Sequence, residues 1–261
     1  MPRKMLKVVV LTVALVASAA GSFSARAQGG ADEKEKPPIY TYVAQWEVAR
    51  PDWLAFEKYD AAQKPVFEKL IADGTIVGYG FFKMAAHSAD GPNHGSWWTA
   101  TSMANLMKVL SLVAAEPVPA DIQKIEAASK HSDLVLISRH YAVNTGSFEN
   151  GYLRVSTYRS KAGQGEAMDK VISSYIIPFL DKLVADGALH SYSVDREAIH
   201  SGDPGEIDIA IVANNADGID KFMAALEANG KANPTGGPAF GAATESSAHR
   251  DFLAVASGAS K

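Results

Sequence analysis

Two stretches of this sequence share the order His-Ser-x-Asp: "HSADGPNHGSWW" at 87–98 and "HSGDPGEIDI" at 200–209. A histidine titrates near neutrality, and a nearby carboxylate can orient it. His87 beside Asp90, or His200 beside Asp203, therefore has the makings of a general base. The same residues also suit a plain turn. Ser and Asp side chains bond neighbouring amides, and Gly91, Gly202 and Pro204 allow the bends. A turn accounts for what the two copies share. Only the first copy adds Asn93 and His94 and runs on into Trp97 and Trp98, so the candidate catalytic bases are His87 and His94. His87, Asp90 and His94 also form H-x2-D-x3-H, a weak metal pattern with no fourth ligand, and no metal is expected.

A second group of residues gains meaning from strand alternation. Tyr40, Tyr42 and Trp46 share one face of a strand near residues 39–48. Arg154, Ser156 and Tyr158 share a face of another, and Glu206 and Asp208 share a face of its expected neighbour. On this reading Arg154 pairs with Asp208 or Glu206 in an enclosed space, at a cost unless both are satisfied. Of the adjacent Trp97 and Trp98, one packs under helices and the other faces that space. The candidate ligand-binding set is Tyr42, Trp46, Trp97, Trp98, Arg154, Tyr158 and Asp208, with aromatic residues from the first half and charges from the second. His190, Arg139 and His140 are given no special role. The chain has no glycine-rich phosphate loop, nucleophile elbow or cysteine, and "NPTGGPAFG" (233–241) reads as a loop. No cofactor is expected.

An internal repeat sets the elements that must position these groups. "PVFEKLIADGTIVGY" (65–79) matches "PFLDKLVADGALHSY" (178–192); "YTYVAQW" (40–46) answers "YLRVSTY" (152–158), and "HSDLVLIS" (131–138) answers "HRDFLAVA" (249–256). Each copy opens with a strand and a long amphipathic helix. In the second copy Met168, Val171, Ile172, Tyr175, Ile176, Phe179, Leu180, Leu183 and Val184 mark its buried face. Pro65 and Pro178 should kink these helices, and Gly74 and Gly187 should end them as left-handed caps. A second strand, the His-Ser-x-Asp turn, a third strand, a shorter helix, a connecting segment and a last strand follow. The order is β-α-β-β-α-β, the ferredoxin-like plan.

On this topology, duplication and "ADG" pattern, residues 39–257 resemble the dimeric α/β-barrel superfamily, with both halves fused in one chain. The resemblance implies an α+β fold of two ferredoxin-like repeats, 39–145 and 146–261, packed sheet to sheet as a pseudo-dimer. That superfamily includes cofactor-independent monooxygenases, haem enzymes and proteins without known activity, so the fold does not choose a chemistry. The Gly-x-x-Asp-Gly pattern of the dye-decolourising peroxidases is absent, which lowers the haem reading.

Residues 1–27 read as a cleaved signal peptide: Arg3, Lys4 and Lys7, an apolar run from Val8 to Ala20, then Ala25-Arg26-Ala27. Residues 28–38, "QGGADEKEKPP", read as a flexible linker. The expected location is the periplasm or beyond, with no membrane span after cleavage. Net charge is −4, and more negative without the four basic leader residues, which argues against nucleic acid as partner. Three functions remain open: binding of a small apolar or aromatic molecule in the inter-sheet cavity or adjacent loop, a cofactor-independent monooxygenase or related enzyme with a histidine base, or a structural protein of the cell envelope. A fused repeat removes the need for the usual homodimer and leaves further oligomerisation open.

Overall fold

The computed structural model describes residues 36–86, 91–201 and 205–261. His87, Asp90 and Asp203 lie outside the described residues, as does the leader. The first half runs β1 (Ile39–Glu47), α1 (Trp53–Ala72), β2 (Gly78–Ala86), β3 (His94–Ala100), α2 (Met103–Ala115), α3 (Ala120–Ala128) and β4 (Lys130–Val143). The second runs β5 (Gly146–Arg159), α4 (Gly165–Val171), α5 (Ile177–Ala185), β6 (Ser191–Ile199), β7 (Glu206–Ala213), α6 (Ala216–Ala232), α7 (Gly236–Ala243) and β8 (Arg250–Ser260).

All eight strands join one closed barrel in the order β1-β3-β2-β8-β5-β7-β6-β4, and every pairing is antiparallel. Strands of the first half are contiguous, as are those of the second. The two groups join edge to edge through β2·β8 and β4·β6. Closure leaves no unpaired strand edge. The space expected between two packed sheets is therefore the interior of one barrel.

Helices coat the outside, so each strand is buried on both faces. Under α1 and α2 the outer face carries Tyr42, Ala44, Tyr79 and Trp98 against Phe67, Leu70, Leu106 and Val109. Under α5, α6 and α7 it carries Tyr192, Val194, Ile207 and Ile211 against Leu180, Leu183, Phe222 and Ala243. The inner face holds a third cluster: Phe82, Met84, Phe148, Leu153, Val212, Ala254 and Ala256. A side chain of ordinary size on either face loses most of its water, which makes large residues uninformative about direction.

Gly74 and Gly187 end α1 and α5 with positive φ, 77° and 71°, where a Cβ would be strained. Ser102 and Asn215 cap α2 and α6, accepting from the amides of Asn105 and Gly218. The two prolines behave differently. Pro65 lies within a helix that continues from Trp53 to Ala72. Pro178 follows a π-turn at Ile172–Ile176, in which the Ile177 amide reaches back to the Ile172 carbonyl. The "NPTGGPAFG" stretch is not a loop throughout, because its second half starts α7. Pro238 sits in the first turn, where its missing N–H costs no bond.

Candidate functional site: the barrel cavity

Inside the barrel lies a cavity of about 360 Å³. Its walls are apolar: Val43, Leu134, Leu136, Leu153, Val155 and Val212, with Phe82, Trp97, Phe148 and Phe252. Thr101 and Val143, both solvent-exposed, mark where the space reaches the surface. Gly80 makes room for Trp97 across the strand pair. A Cβ at that position would lie 2.2 Å from the indole ring.

The two acids of the lining lie on β6 and β7, while Gln45, Ser260 and Lys261 add polar groups elsewhere. Asp195 and Asp208 stand directly opposite each other on these neighbouring strands and both line the cavity. Asp195 is only 4 % exposed. The hydroxyls of Ser138 and Ser193 donate to its two oxygens, the latter at 2.7 Å. Burial nonetheless pushes its pKa up to about 7, the two hydroxyls pull it back, and Asp208 adds repulsion. Thr157 donates to Oδ1 of Asp208 at 2.5 Å. The Asp208 carboxyl is also raised, chiefly by burial. Burial thus disfavours the charged form of both carboxyls.

Nearer the end where β5 begins and β8 ends, His190 lines the same space. It is buried, its Nε2 lies 2.8 Å from the Ser260 hydroxyl, and it packs against Phe148 at 4.9 Å between ring centroids. Burial lowers its pKa and keeps the imidazole neutral. Its amide bonds the Val212 carbonyl, which fixes where the ring starts. Tyr141, Thr41 and Thr99 complete a polar rim.

Of the residues singled out from sequence, Trp97 and Asp208 face this cavity. Five others do not. Tyr42 and Trp98 stack on each other at 4.4 Å on the outer face, under the helices. Trp46 also faces outward, against Phe56 and stacked on His131 at 3.8 Å. Arg154 does not meet Asp208 or Glu206. It bonds Asp251 at 2.9 Å, with its guanidinium 5.5 Å from the Phe222 ring. Tyr158 stacks on His249 and meets Phe240 edge-on. The reason is register: antiparallel pairing sets Tyr158 opposite Ile207 and Thr157 opposite Asp208. Arg154, Ser156 and Tyr158 thus share a face with the isoleucines and not with the acids. Glu206 instead receives Arg159 and Arg250. His94 is buried on the outer face, away from the barrel interior, and His200 is largely exposed. Asp195 and His190 also line the cavity; from sequence, Asp195 was not singled out and His190 was given no special role. The signal for Asp195 lies in the comparison of β6 with β2, where it stands in the place of Phe82.

No protein-family model matches the sequence, and no curated protein matches it. Solved structures do. One is a "putative monooxygenase" of Lactobacillus acidophilus, with TM-score 0.58 and 12 % identity, covering 86 % of this chain and 97 % of that one. Another is a "putative monooxygenase" of Fusobacterium nucleatum, with TM-score 0.62 and 6 % identity, covering 87 % and 95 %. The fold is that of the dimeric α/β-barrel superfamily. In this barrel one chain supplies both groups of four strands. Identities this low carry the fold and nothing of the chemistry.

Proposed function

We propose that the barrel binds a small, largely apolar molecule whose hydrogen-bond donor meets the Asp195–Asp208 pair. A single observation carries this reading: an apolar cavity of about 360 Å³ lined by a buried acid, Asp195, and a half-buried one, Asp208, paired across β6 and β7. The volume falls in the range of small-molecule sites, and few polar groups on apolar walls is their usual composition. Thr157 holds Oδ1 of Asp208, and no described residue hydrogen-bonds Oδ2, which is left for a ligand hydroxyl or amine. The test is a panel of small aromatic alcohols and amines, each beside its unsubstituted parent, read by Trp97 fluorescence and calorimetry. The donors should bind more tightly than their parents, and Asp208→Asn should erase the difference. Equal binding by donors and parents would overturn the reading.

One observation favours an enzyme as a second reading: a carboxylate with pKa near 7 is poised as a general base at neutral pH. The base would be Asp195, since His94 lies outside the cavity. Incubating a bound donor in air and weighing the product by mass spectrometry checks it. An unchanged ligand sinks it.

We also infer that the two halves are ferredoxin-like copies of one unit. The pair Phe82–Gly95 on β2 and β3 and the pair Asp195–Asp208 on β6 and β7 have the same register. Export of the chain after cleavage near Gln28 completes the proposal, and amino-terminal sequencing of the protein from its native cell tests it.

A further inference from the structure

Outside the barrel, between α1 and the β2–β8 seam, lies a crevice of about 210 Å³. Glu57, Asp60, Ala61 and Lys64 of α1 form one wall, and Lys83, His94 and Ser257 belong to the strands opposite. It shares no hydrogen-bonding group with the barrel cavity.

His94 is the unusual member. It is 1 % exposed, and its Nε2 has no hydrogen-bond partner among the described residues. Its tautomer is fixed from behind. The Asn93 amide is oriented by the backbone of Val48, whose N–H donates to Oδ1 at 3.0 Å and whose carbonyl accepts from Nδ2 at 2.9 Å. Oδ1 lies 2.7 Å from His94 Nδ1, so Nδ1 must carry the hydrogen. Nε2 is then a bare lone pair. It faces Glu57 Oε1 at 3.6 Å, too far for a hydrogen bond and with no proton to share while the imidazole is neutral. Burial holds the imidazole pKa down, against the pull of Glu57. Trp53 and Phe56 pack edge-on around the ring and keep it from turning away.

A buried acceptor left unpaired costs free energy that an incoming donor recovers. Among the described residues no group of three His, Asp or Glu has the geometry of a metal site. Charge narrows the donor further. Glu57 would repel an anion, and Lys83 and Lys64 would repel a cation, while burial and the neighbouring Glu57 hold the Asp60 pKa well above the usual carboxylate range. Lys83 already sits on Glu57 at 2.8 Å, and Lys64 on Glu149 at 2.6 Å. A neutral molecule with several hydroxyls escapes both penalties, because each hydroxyl can donate to His94 or Glu57 and accept from a lysine.

We propose that this crevice is a second binding site, for a small neutral polyol or sugar-like molecule, in which His94 Nε2 accepts a ligand hydroxyl. Asn93 positions the imidazole, and Glu57 receives a neighbouring hydroxyl. The crevice is smaller than most drug-sized sites, so the occupant is a short chain or a single ring.

The experiment uses the intact protein labelled with 15N-histidine and titrated with erythritol. Nε2 of His94 should resonate as an unprotonated ring nitrogen near pH 7, and erythritol should shift it in a saturable way. Glu57→Gln offers Nε2 an internal amide donor and should weaken the erythritol response about tenfold. Glu57 is half-buried and glutamine matches its shape, so this variant should keep the fold even if His94→Phe does not, with urea unfolding as the check. A protonated Nε2, a silent His94 at molar erythritol, or an equal response in Glu57→Gln would each overturn the proposal. So would a shift confined to His190, because that residue reports the barrel cavity.

Discussion

The Phe82–Gly95 and Asp195–Asp208 pairs occupy matching places on β2·β3 and β6·β7, yet they do opposite work. In the first half the Phe82 ring covers Gly95, where a Cβ would come within 2.4 Å of it. One step along, Trp97 lies over Gly80, while the matching pair in the second half is Ala210 and Ser193. On β2 and β3 aromatic rings lie over glycines, whereas the matching places on β6 and β7 are short or polar; Phe148, Leu153, Val155 and Phe252 of β5 and β8 complete the second half's lining. A large ring needs a partner without a side chain because interiors are close-packed, and a pair of small polar residues leaves volume behind. The β6–β7 pairs therefore leave space inside the barrel at places where the β2–β3 pairs are filled.

Substitutions can break that contrast or sharpen it. Trp97→Ala removes the largest plug and should cost about 3–5 kcal/mol in urea unfolding, with an enlarged cavity that admits bulkier apolar probes. A smaller loss would mean that the barrel collapses onto the gap. Asp195→Phe combined with Asp208→Gly makes the second side imitate the first. It should abolish ligand binding in the barrel while raising stability by on the order of 1 kcal/mol. Retained binding would move the site elsewhere.

Asp195→Asn tests the electrostatics alone. Between the ordinary carboxylate range and about pH 7 the folded chain keeps a proton at Asp195 that the unfolded chain has lost. Stability of the natural chain should therefore fall as pH rises through this window and level off above it. In Asp195→Asn that slope should flatten, as measured by urea midpoints from about pH 5 to pH 8. A smaller effect is expected from Ser138→Ala, which removes one donor to the carboxylate. It should cost about 1 kcal/mol above pH 7 and less below, where the acid is already protonated.

The α+β barrel class, the order of the strands and longer helices and the glycine caps were legible in the sequence because they depend on local pattern, whereas α3 and α7 fall where a connecting segment was read. The site was half legible. Asp208 stood out in "EIDIAIV", where the isoleucines mark one face and the acids the other. Tyr42 and Trp46 misled because their strand is buried on both sides, so size gives no direction. Arg154 and Tyr158 misled for a different reason. Which face of β5 joins the acids of β7 depends on a register that single-strand alternation leaves open by one residue. Asp195 was visible only by laying β6 along β2 and noticing an acid where the first half has Phe82. His94 was noticed for its position in a loop, but its partner Glu57 comes from a helix 37 residues earlier, and no local pattern joins them.

The last strand has a consequence for how the molecule is made. β8 is hydrogen-bonded to β2 on one side and to β5 on the other, and β4 waits for β6. A nascent chain emerging from the ribosome can assemble its first four strands and still present two open margins until residues 250–260 arrive. Closure then depends on pairings across most of the chain's length, the kind that form slowly. The late arrival of one eleven-residue strand separates synthesis of the barrel from its completion.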